Sequence, residues 1–266
     1  MIKMIVVDLD GTILNNDSKV TNSTIEYLKK LKDNGYIITI ATGRILSSAL
    51  GATDGASFAN YIITSNGSCV YNLQTSSFLF ENYIDEETIK SCFNLYDDNY
   101  RCIKFCSKDR VYKYSEDSTY NEITDKEKEY IINNENISNI AINIKNINLI
   151  KQIYSDIVNK LKNVKVVTMR DSFSDKKWFD VMPINCSKYN MIDKLASYLG
   201  IKNEEIIAFG DGLNDIDMIK RCGYGVALEN ALEEVKEVAN DVTQLDHNND
   251  GVINYLMEYL CNKEVQ

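Results

Sequence analysis

Short apolar runs alternate with amphipathic stretches at the beginning of the chain. Residues 2–7 (IKMIVV), 36–42 (YIITIAT) and 61–67 (YIITSNG) each predict a strand rich in β-branched side chains. Between them, residues 21–31 place apolar side chains at helical spacing behind a Thr or Ser cap, and residues 43–50 begin a second helix. Strands that alternate with helices in this way indicate a parallel sheet with helices on both faces.

The same alternation returns late in the chain. Residues 189–199 predict a helix, residues 204–211 (EEIIAFGD) a strand, residues 214–222 (NDIDMIKRC) a helix, and residues 223–230 (GYGVALEN) a strand with a turn. The early and late blocks therefore form one α/β domain that a different segment interrupts.

The interrupting segment is polar and rich in Tyr and Asn. It contains helical stretches near 86–97 and 147–161 and the strand-like runs RCIKFC, RVYKY, IAINI and VKVVT. We expect a separate α+β domain over residues 84–183, inserted into a core domain that comprises residues 1–83 and 184–266. The sole proline, Pro183, lies near the return crossing, where we expect a linker.

Charge and hydropathy restrict the partners. The chain has 29 Lys and Arg against 39 Asp and Glu, a net charge of −10, which disfavours nucleic acid and anionic membranes as partners. No apolar run approaches the roughly 18 residues of a membrane span, and the opening segment lacks the features of a signal peptide. We expect a cytoplasmic protein, either a monomer or a weak homo-oligomer.

The sequence offers few kinds of nucleophile and metal ligand. The seven cysteines are scattered without a C-x-x-C pair, which disfavours disulfides and zinc. His247 is the only histidine, so multi-histidine metal sites are excluded, and Ser-His-Asp or Cys-His catalysis would need that one residue. The chemistry must use carboxylates, lysine, hydroxyl groups and a metal ion.

Acidic residues follow two of the predicted strands. Asp8 and Asp10 come directly after the first strand and share a face in extended backbone, so one could be a nucleophile and the other a proton donor. Asp211 and Asp215 follow a late strand. If these acids meet, each pair about 4 Å apart repels by about 4 kcal/mol at an effective dielectric of about 20, which requires a cation. All-oxygen ligands favour Mg²⁺.

Two further segments suit a phosphate group. Thr42, Gly43 and Arg44 lie where the second strand ends and a helix begins, so a hydroxyl and backbone N–H groups could bind phosphoryl oxygens. Lys188 begins a helix just after the insertion, where its ammonium could offset the charge of a nucleophile and a phosphoryl group.

Together these segments resemble the haloacid dehalogenase superfamily, and within it the Cof-type sugar-phosphate phosphatases with a type IIB cap. The motifs are, in order, DLDGT at 8–12, ATGR at 41–44, SNGS at 65–68, Lys188, GDGLND at 210–215 and DGVINYL at 250–256. The resemblance implies a Rossmann-like parallel-sheet core with an inserted α+β cap domain that closes over the active site and selects the substrate.

The resemblance also implies roles for individual residues. Asp8 would be the nucleophile and a metal ligand, and Asp10 the general acid, then base, and a metal ligand through its carbonyl. Asp211 would bind the metal and Asp215 support it. The residues implied in substrate binding are Leu9, Thr42, Gly43, Arg44, Asn66, Lys188 and Asn214. Arg170, Asp171, Lys176, Lys177 and Trp178 are candidates on the cap.

The expected activity is Mg²⁺-dependent hydrolysis of small phosphomonoesters, such as sugar phosphates, through an aspartyl-phosphate. Within the superfamily, the acid at Asp10 excludes dehalogenation. Two alternatives stay open: a phosphomutase or phosphotransferase, and a non-catalytic metabolite sensor.

Two local features depart from the simplest interpretation. Tyr189 stands where relatives commonly have glycine, which affects local backbone geometry and the room for substrate. Residues 246–251 (DHNNDG) begin like a Ca²⁺-binding EF-hand loop, but the final position is Met257 instead of glutamate. We therefore expect a cap for the last helix there, with His247 outside the catalytic site.

Overall fold

A computed structural model describes residues 1–115, 123–170 and 177–264 of the chain. The chain forms two compact units, one comprising Met1–Glu81 and Ser187–Gln266 and the other Asn82–Cys186. Each unit has its own sheet and its own hydrophobic core.

The described strands and helices follow one another in this order: β1 (Met4–Val7), α1 (Asn22–Asp33), β2 (Ile37–Ala41), α2 (Leu46–Ala52), β3 (Tyr61–Thr64), β4 (Cys69–Asn72), β5 (Ser77–Glu81), α3 (Glu86–Phe93), β6 (Tyr100–Ser107), β7 (Val111–Tyr114), α4 (Asp125–Asn134), β8 (Ile137–Ile144), α5 (Ile150–Lys160), β9 (Val164–Arg170), β10 (Lys177–Pro183), α6 (Lys188–Leu199), β11 (Ile206–Gly210), α7 (Ile216–Arg221), β12 (Tyr224–Ala227), α8 (Glu233–Lys236), β13 (Asp241–Val242) and α9 (Gly251–Glu264). Short 3₁₀ turns occupy 54–56, 147–149, 203–205, 213–215 and 247–249.

The first unit is built on an eight-stranded sheet with the order β13-β12-β11-β1-β2-β3-β4-β5. The strands from β13 to β3 pair in parallel, whereas β4 and β5 add an antiparallel edge. All residues of β1 and β11 are buried, as expected for central strands that are covered on both faces. Because β1 and β11 are direct neighbours, the loops that follow them lie side by side.

Side-chain caps define the beginnings of the two helices that matter most for the site. The hydroxyl of Thr21 accepts the N–H of Thr24 at the start of α1, as the sequence predicts. At the start of α6 the hydroxyl of Ser187 accepts the N–H of Asn190, and the helix ends at Gly200 in the left-handed conformation. Lys188 is therefore held in the first turn of a capped helix.

The second unit contains a five-stranded antiparallel sheet with the order β7-β6-β8-β10-β9. The separate α+β unit is present, but the predicted elements do not include α4 and β10. Helix α4 is highly charged, so its apolar periodicity is weak, and a capping box between Thr124 and Glu127 marks its beginning. Pro183 lies outside a linker: it is the last residue of β10, beyond the part of that strand that pairs with β8.

The seven cysteines are free, and all but Cys261 are buried. Over the described residues, none of the helices is both long and apolar enough to span a membrane.

Candidate active site

The acidic residues after β1 and β11 meet at one edge of the sheet. The N–H of Asp8 donates to the carbonyl of Phe209 at 3.0 Å, which continues the strand pairing up to the first acid. Carboxylate oxygens of Asp8, Asp211 and Asp215 all lie within 4.8 Å of one another. Three of the four predicted acids are thus brought together by neighbouring strand ends.

Lys188 lies between two of these acids. Its Nζ donates to Oδ1 of Asp8 and to Oδ1 of Asp215, both at 2.6 Å. The residue is only 1% exposed, so the ammonium is enclosed with the carboxylates instead of being solvated. A buried lysine with two acidic partners neutralises part of a cluster that otherwise carries like charges.

Hydrogen bonds fix the orientation of the remaining carboxylate oxygens. Oδ2 of Asp215 accepts the backbone N–H groups of Asp211 at 3.0 Å and of Gly212 at 2.9 Å. Oδ1 of Asp211 accepts the hydroxyl of Thr12 at 2.8 Å. Thr12, which is not among the predicted site residues, therefore joins the loop after β1 (the first catalytic loop) to the loop after β11 (the second catalytic loop).

Burial and mutual repulsion change the proton affinities of the cluster. Burial, opposed by Lys188 and reinforced by Asp215 and Asp211, raises the pKa of the Asp8 carboxyl well above its usual range. Burial and then the charge of Asp215 raise the pKa of Asp211 to about 7. Burial acts to lower the pKa of Lys188, but Asp215 and Asp8 outweigh it and raise that pKa above its ordinary value. One buried cation is too little for three carboxylates.

The donor set fits a hard divalent cation. The clustered ligand atoms are all carboxylate oxygens. Oxygen ligands suit Mg²⁺, and a divalent charge would relieve the repulsion that adds to burial in raising the pKa values of Asp8 and Asp211.

Glycine is required where the first catalytic loop passes the second. Gly11 has φ of 76°, and a Cβ built on it would lie 2.3 Å from Oδ2 of Asp211. Any side chain there would be strained and would displace a carboxylate of the cluster.

The carboxylate of Asp10 lies apart from the cluster. Arg44 donates to it through a fork, with Nε 2.8 Å from Oδ2 and Nη2 2.5 Å from Oδ1. The structure therefore brings together the carboxylates of three of the four acids, and two charge-assisted hydrogen bonds hold the carboxylate of Asp10 on Arg44. The side chain of Asp10 is 58% exposed, so it remains accessible to substrate and water.

The predicted phosphate-binding residues contact Arg44 or one another. The buried hydroxyl of Thr42 accepts the N–H of Arg44 at 3.1 Å, and Nδ2 of Asn214 donates to Oδ1 of Asn66 at 2.9 Å. A Cβ on Gly43 would meet Oδ1 of Asn66 at 3.2 Å. The side chain of Leu9 is fully buried in the core, so only its backbone can take part in binding.

A comparison with known proteins decides the family. A family model described as haloacid dehalogenase-like hydrolase matches residues 5–256. The chain is a haloacid dehalogenase-like hydrolase.

Relatives of this hydrolase include named phosphatases. A 5-amino-6-(5-phospho-D-ribitylamino)uracil phosphatase from Bacillus subtilis is 27% identical over 275 residues, which cover 96% of this chain and 97% of that relative. The solved structure of a phosphatase of the haloalkanoate enzyme superfamily from Bacteroides thetaiotaomicron is 26% identical, with a TM-score of 0.82 over 97% of this chain and 95% of that one. A subclass IIB sugar phosphatase with a TM-score of 0.76 has the same fold at 24% identity, over 97% of this chain and 98% of that one.

These matches confirm the predicted fold class, a parallel-sheet core with an inserted α+β cap domain, and the resemblance to Cof-type enzymes. They also confirm the predicted enzyme class, a hydrolase of phosphoric monoesters.

The tyrosine that departs from the family pattern packs inside the hydrolase core. Tyr189 is 9% exposed, and the guanidinium of Arg221 lies 3.9 Å from the centre of its ring. Arg221 is in turn 3.3 Å from a carboxylate oxygen of Asp217. The ring is thus accommodated by the core and by a cation on α7.

The acids of residues 246–251, the segment that begins like a Ca²⁺ loop, accept hydrogen bonds within the hydrolase. Oδ1 of Asp246 accepts the N–H groups of Asn248 and Asn249, and Asp250 accepts hydroxyls from the first turn of α1. Within residues 1–115, 123–170 and 177–264, the group formed by Asp8, Asp211 and Asp215 is the one that could hold a metal ion.

The cap candidates have different outcomes. Asp171 and Lys176 lie outside the described residues. The backbones of Arg170 and Lys177 pair at the ends of β9 and β10. The Nζ of Lys104 lies 4.5 Å from the ring centre of Trp178, so this tryptophan already has a cationic neighbour on the same sheet.

Proposed function

We propose that this hydrolase cleaves small phosphomonoesters with Mg²⁺ through a phosphoryl-Asp8 intermediate. The observation that carries the proposal is the buried group of Asp8, Asp211 and Asp215 with Lys188 between two of its members. A single buried acid would not form a cation site, whereas this group combines a nucleophile with ligands for a metal ion.

Asp8, Asp211 and Asp215 would hold the metal ion, and the backbone carbonyl of Asp10 stays a predicted further ligand. When bound, Mg²⁺ would neutralise charge on the transferring phosphoryl group. Thr12 and the N–H groups of Asp211 and Gly212 keep the carboxylates oriented for that purpose.

In the first step an oxygen of Asp8 attacks phosphorus in line with the leaving oxygen. The new Asp8–phosphorus bond forms as the ester P–O bond breaks, and the departing alcohol takes a proton from the carboxyl group of Asp10. Lys188 offsets the negative charge that gathers at Asp8.

In the second step Asp10 acts as a base. It takes a proton from a water molecule, whose oxygen attacks phosphorus, and the Asp8–phosphorus bond breaks to release inorganic phosphate and restore both acids. The exposed carboxylate of Asp10 has the access to water that this step needs.

Thr42, Asn214, Asn66 and Arg44 are proposed to contact the substrate. Their polar atoms already pair with one another or with Asp10, so they form an ordered rim beside the nucleophile. The guanidinium of Arg44 would share its fork between Asp10 and an anionic oxygen of the substrate. A curated relative acts on a phosphorylated ribityl compound, and we propose small phosphorylated metabolites of this kind, including sugar phosphates, as substrates.

The proposal is tested with a panel of phosphomonoesters, measured as release of inorganic phosphate with Mg²⁺ and with excess chelator. We expect turnover that needs the metal and falls at least about a thousandfold in Asp8→Asn, because an amide is a poor nucleophile. Asp17→Asn, which changes an exposed acid, is the matched control and should retain activity. Equal rates in wild type and Asp8→Asn would refute the assignment, and product isomers without free phosphate would instead indicate a phosphomutase.

A further inference from the structure

Asn230 connects the first catalytic loop to the C-terminal region. It lies in the turn between β12 and α8 and is half-buried. Its Nδ2 donates to the carbonyl of Gly11 at 2.9 Å, and its Oδ1 accepts the N–H of His247 at 2.9 Å. Both ends of the side-chain amide are therefore fixed, one of them on the loop that carries Asp8 and Asp10.

The same turn holds the second catalytic loop through its backbone. The N–H of Leu228 donates to the carbonyl of Gly210, and the N–H of Leu232 donates to the carbonyl of Asp211, both at 3.1 Å. The segment 228–232 thus contacts the loop after β11 through its main chain and the loop after β1 through Asn230.

The two loops meet directly beside the carbonyl that Asn230 binds. The α-carbon of Gly11 has no room for a Cβ against the carboxylate of Asp211, and Thr12 donates to that same carboxylate at 2.8 Å. A shift of Gly11 would therefore move Asp211 or break its hydrogen bond.

The residues behind Asn230 form a brace. Nε2 of His247 lies 3.1 Å from Oδ1 of Asn16, and Oδ1 of Asn248 accepts the N–H of Asn16 at 3.2 Å. Asp250 accepts the hydroxyl of Thr21 at 2.6 Å, so this turn holds the chain that leads from the first catalytic loop to α1. Residues 246–251, the segment that begins like a Ca²⁺ loop, thus have a structural role: they contact the chain between the first catalytic loop and α1.

We propose that Asn230 is a positioning residue that sets the separation of the first and second catalytic loops and thereby the affinity of the carboxylate site for Mg²⁺. The inference rests on the proposed function, because it concerns the same metal site. A neutral amide suits the role, since it donates to Gly11 and accepts from His247 without adding charge beside the acids.

The test compares Asn230→Asp, Asn230→Ala and the control Asn240→Ala. Asn230→Asp keeps the size and the acceptor for His247 but places a carboxylate oxygen against the carbonyl of Gly11. Oδ1 of Asn240 accepts the N–H of Gly225, a residue of β12, at 2.8 Å. The control Asn240→Ala therefore also removes one hydrogen bond between an asparagine side chain and the backbone. Mg²⁺ binding is measured by calorimetry without substrate, and the Mg²⁺ dependence of p-nitrophenyl phosphate hydrolysis is measured in parallel.

We expect both Asn230 variants to raise the Kd for Mg²⁺ and its half-saturating concentration about tenfold or more. Loss of a residue that orients metal ligands from behind commonly has an effect of this size. At saturating Mg²⁺ their KM should stay within about threefold of wild type, because no contact to the phosphate is removed. Asn240→Ala should leave Mg²⁺ affinity within about twofold, whatever it does to the melting temperature.

Thermal unfolding first establishes that each variant is folded, and Asn230→Asp alone decides if Asn230→Ala does not fold. The inference is overturned if the Mg²⁺ affinity of a folded Asn230 variant equals that of Asn240→Ala. A wild-type protein that binds no Mg²⁺ and releases no phosphate would instead overturn the proposed function, so the two failures are distinguishable.

Discussion

At the scale of single residues, Lys188 supplies the positive charge that is bonded to the acidic cluster. It is buried and bonded to both Asp8 and Asp215, while Asp211 lies within reach of the same group. The raised pKa values of Asp8 and Asp211 follow from burial first and from neighbouring acids second. Removing the only enclosed ammonium from this group would leave its acids uncompensated.

Replacing Lys188 should therefore destabilise the metal-free protein. We expect Lys188→Met to lower the free energy of unfolding in chelator by about 3–5 kcal/mol, because it breaks a buried ion-pair network. Mg²⁺ should restore part of the loss by supplying positive charge. Urea unfolding with and without Mg²⁺ measures both effects.

Lys194 offers a control on the same helix, since it is exposed and lies 4.3 Å from the ring centre of Phe80. Lys194→Met should cost no more than about 1 kcal/mol, the range of an exposed cation–π contact. If Lys188→Met were no more destabilising than Lys194→Met, the buried network would not have the role described.

The sequence predicts which residues are chemically active better than it predicts their pairing. Asp8 and Asp211 could be placed at strand ends because apolar runs precede them. The fork between Arg44 and Asp10 could not be foreseen, since nothing in a sequence fixes which of several acids a long cationic side chain meets. The role of Asn230 could not be foreseen either, because its amide binds the carbonyl of Gly11, 219 positions away in the sequence.

At the scale of elements, strand order brings the site together. Residues Val7 and Phe209 are register partners in β1 and β11, so their following loops share an edge of the sheet. The predicted strands and helices of the core correspond to these elements, but their order across the sheet is not written in local periodicity. The missed elements have a local cause: the charged sequence of α4 and the mixed polar pattern of β10 leave little periodic signal.

The cap of α6 should affect catalysis because that helix carries Lys188. Ser187 accepts the N–H of Asn190 at 3.1 Å and donates to Asp217 at 2.7 Å. We expect Ser187→Ala to cost about 1 kcal/mol of stability, the usual cost of losing such a cap. It should also lower kcat several-fold, because the first turn that holds Lys188 loosens.

Thr124→Ala is the matched comparison, since Thr124 caps α4 in the other unit. It should cost a similar free energy of unfolding and leave kcat close to wild type. Steady-state kinetics and urea unfolding on both variants separate the two effects. Equal losses of kcat would show that capping near Lys188 has no special effect on the reaction.

At the scale of the whole molecule, the acidic cluster links stability, pH and metal binding. The pKa of Asp211 is raised to about 7 and that of Asp8 is raised well above its usual range, both chiefly by burial. Since these carboxyls hold protons more tightly in the folded state, the metal-free protein should lose stability as pH rises from about 4 through about 7. Mg²⁺ binds only the ionised groups.

Saturating Mg²⁺ should therefore raise the melting temperature more at about pH 8 than at about pH 5.5, where bound protons compete with the metal. Thermal unfolding at matched ionic strength, with NaCl in place of MgCl₂ as the control, measures the difference. A Mg²⁺ effect that is equal at both pH values, or larger at the acidic one, would contradict this linkage.

The most direct test of the central claim is to trap the phosphoryl group on Asp8. In Asp10→Asn, p-nitrophenyl phosphate needs little acid assistance to leave, whereas breakdown of the acyl phosphate lacks its base, so the intermediate should accumulate. Acid quench during turnover with Mg²⁺, followed by peptide mapping, should find phosphate on the peptide that contains Asp8 and on no peptide of Asp8→Asn. Release of p-nitrophenol by Asp10→Asn with Asp8 unmodified throughout would contradict the account.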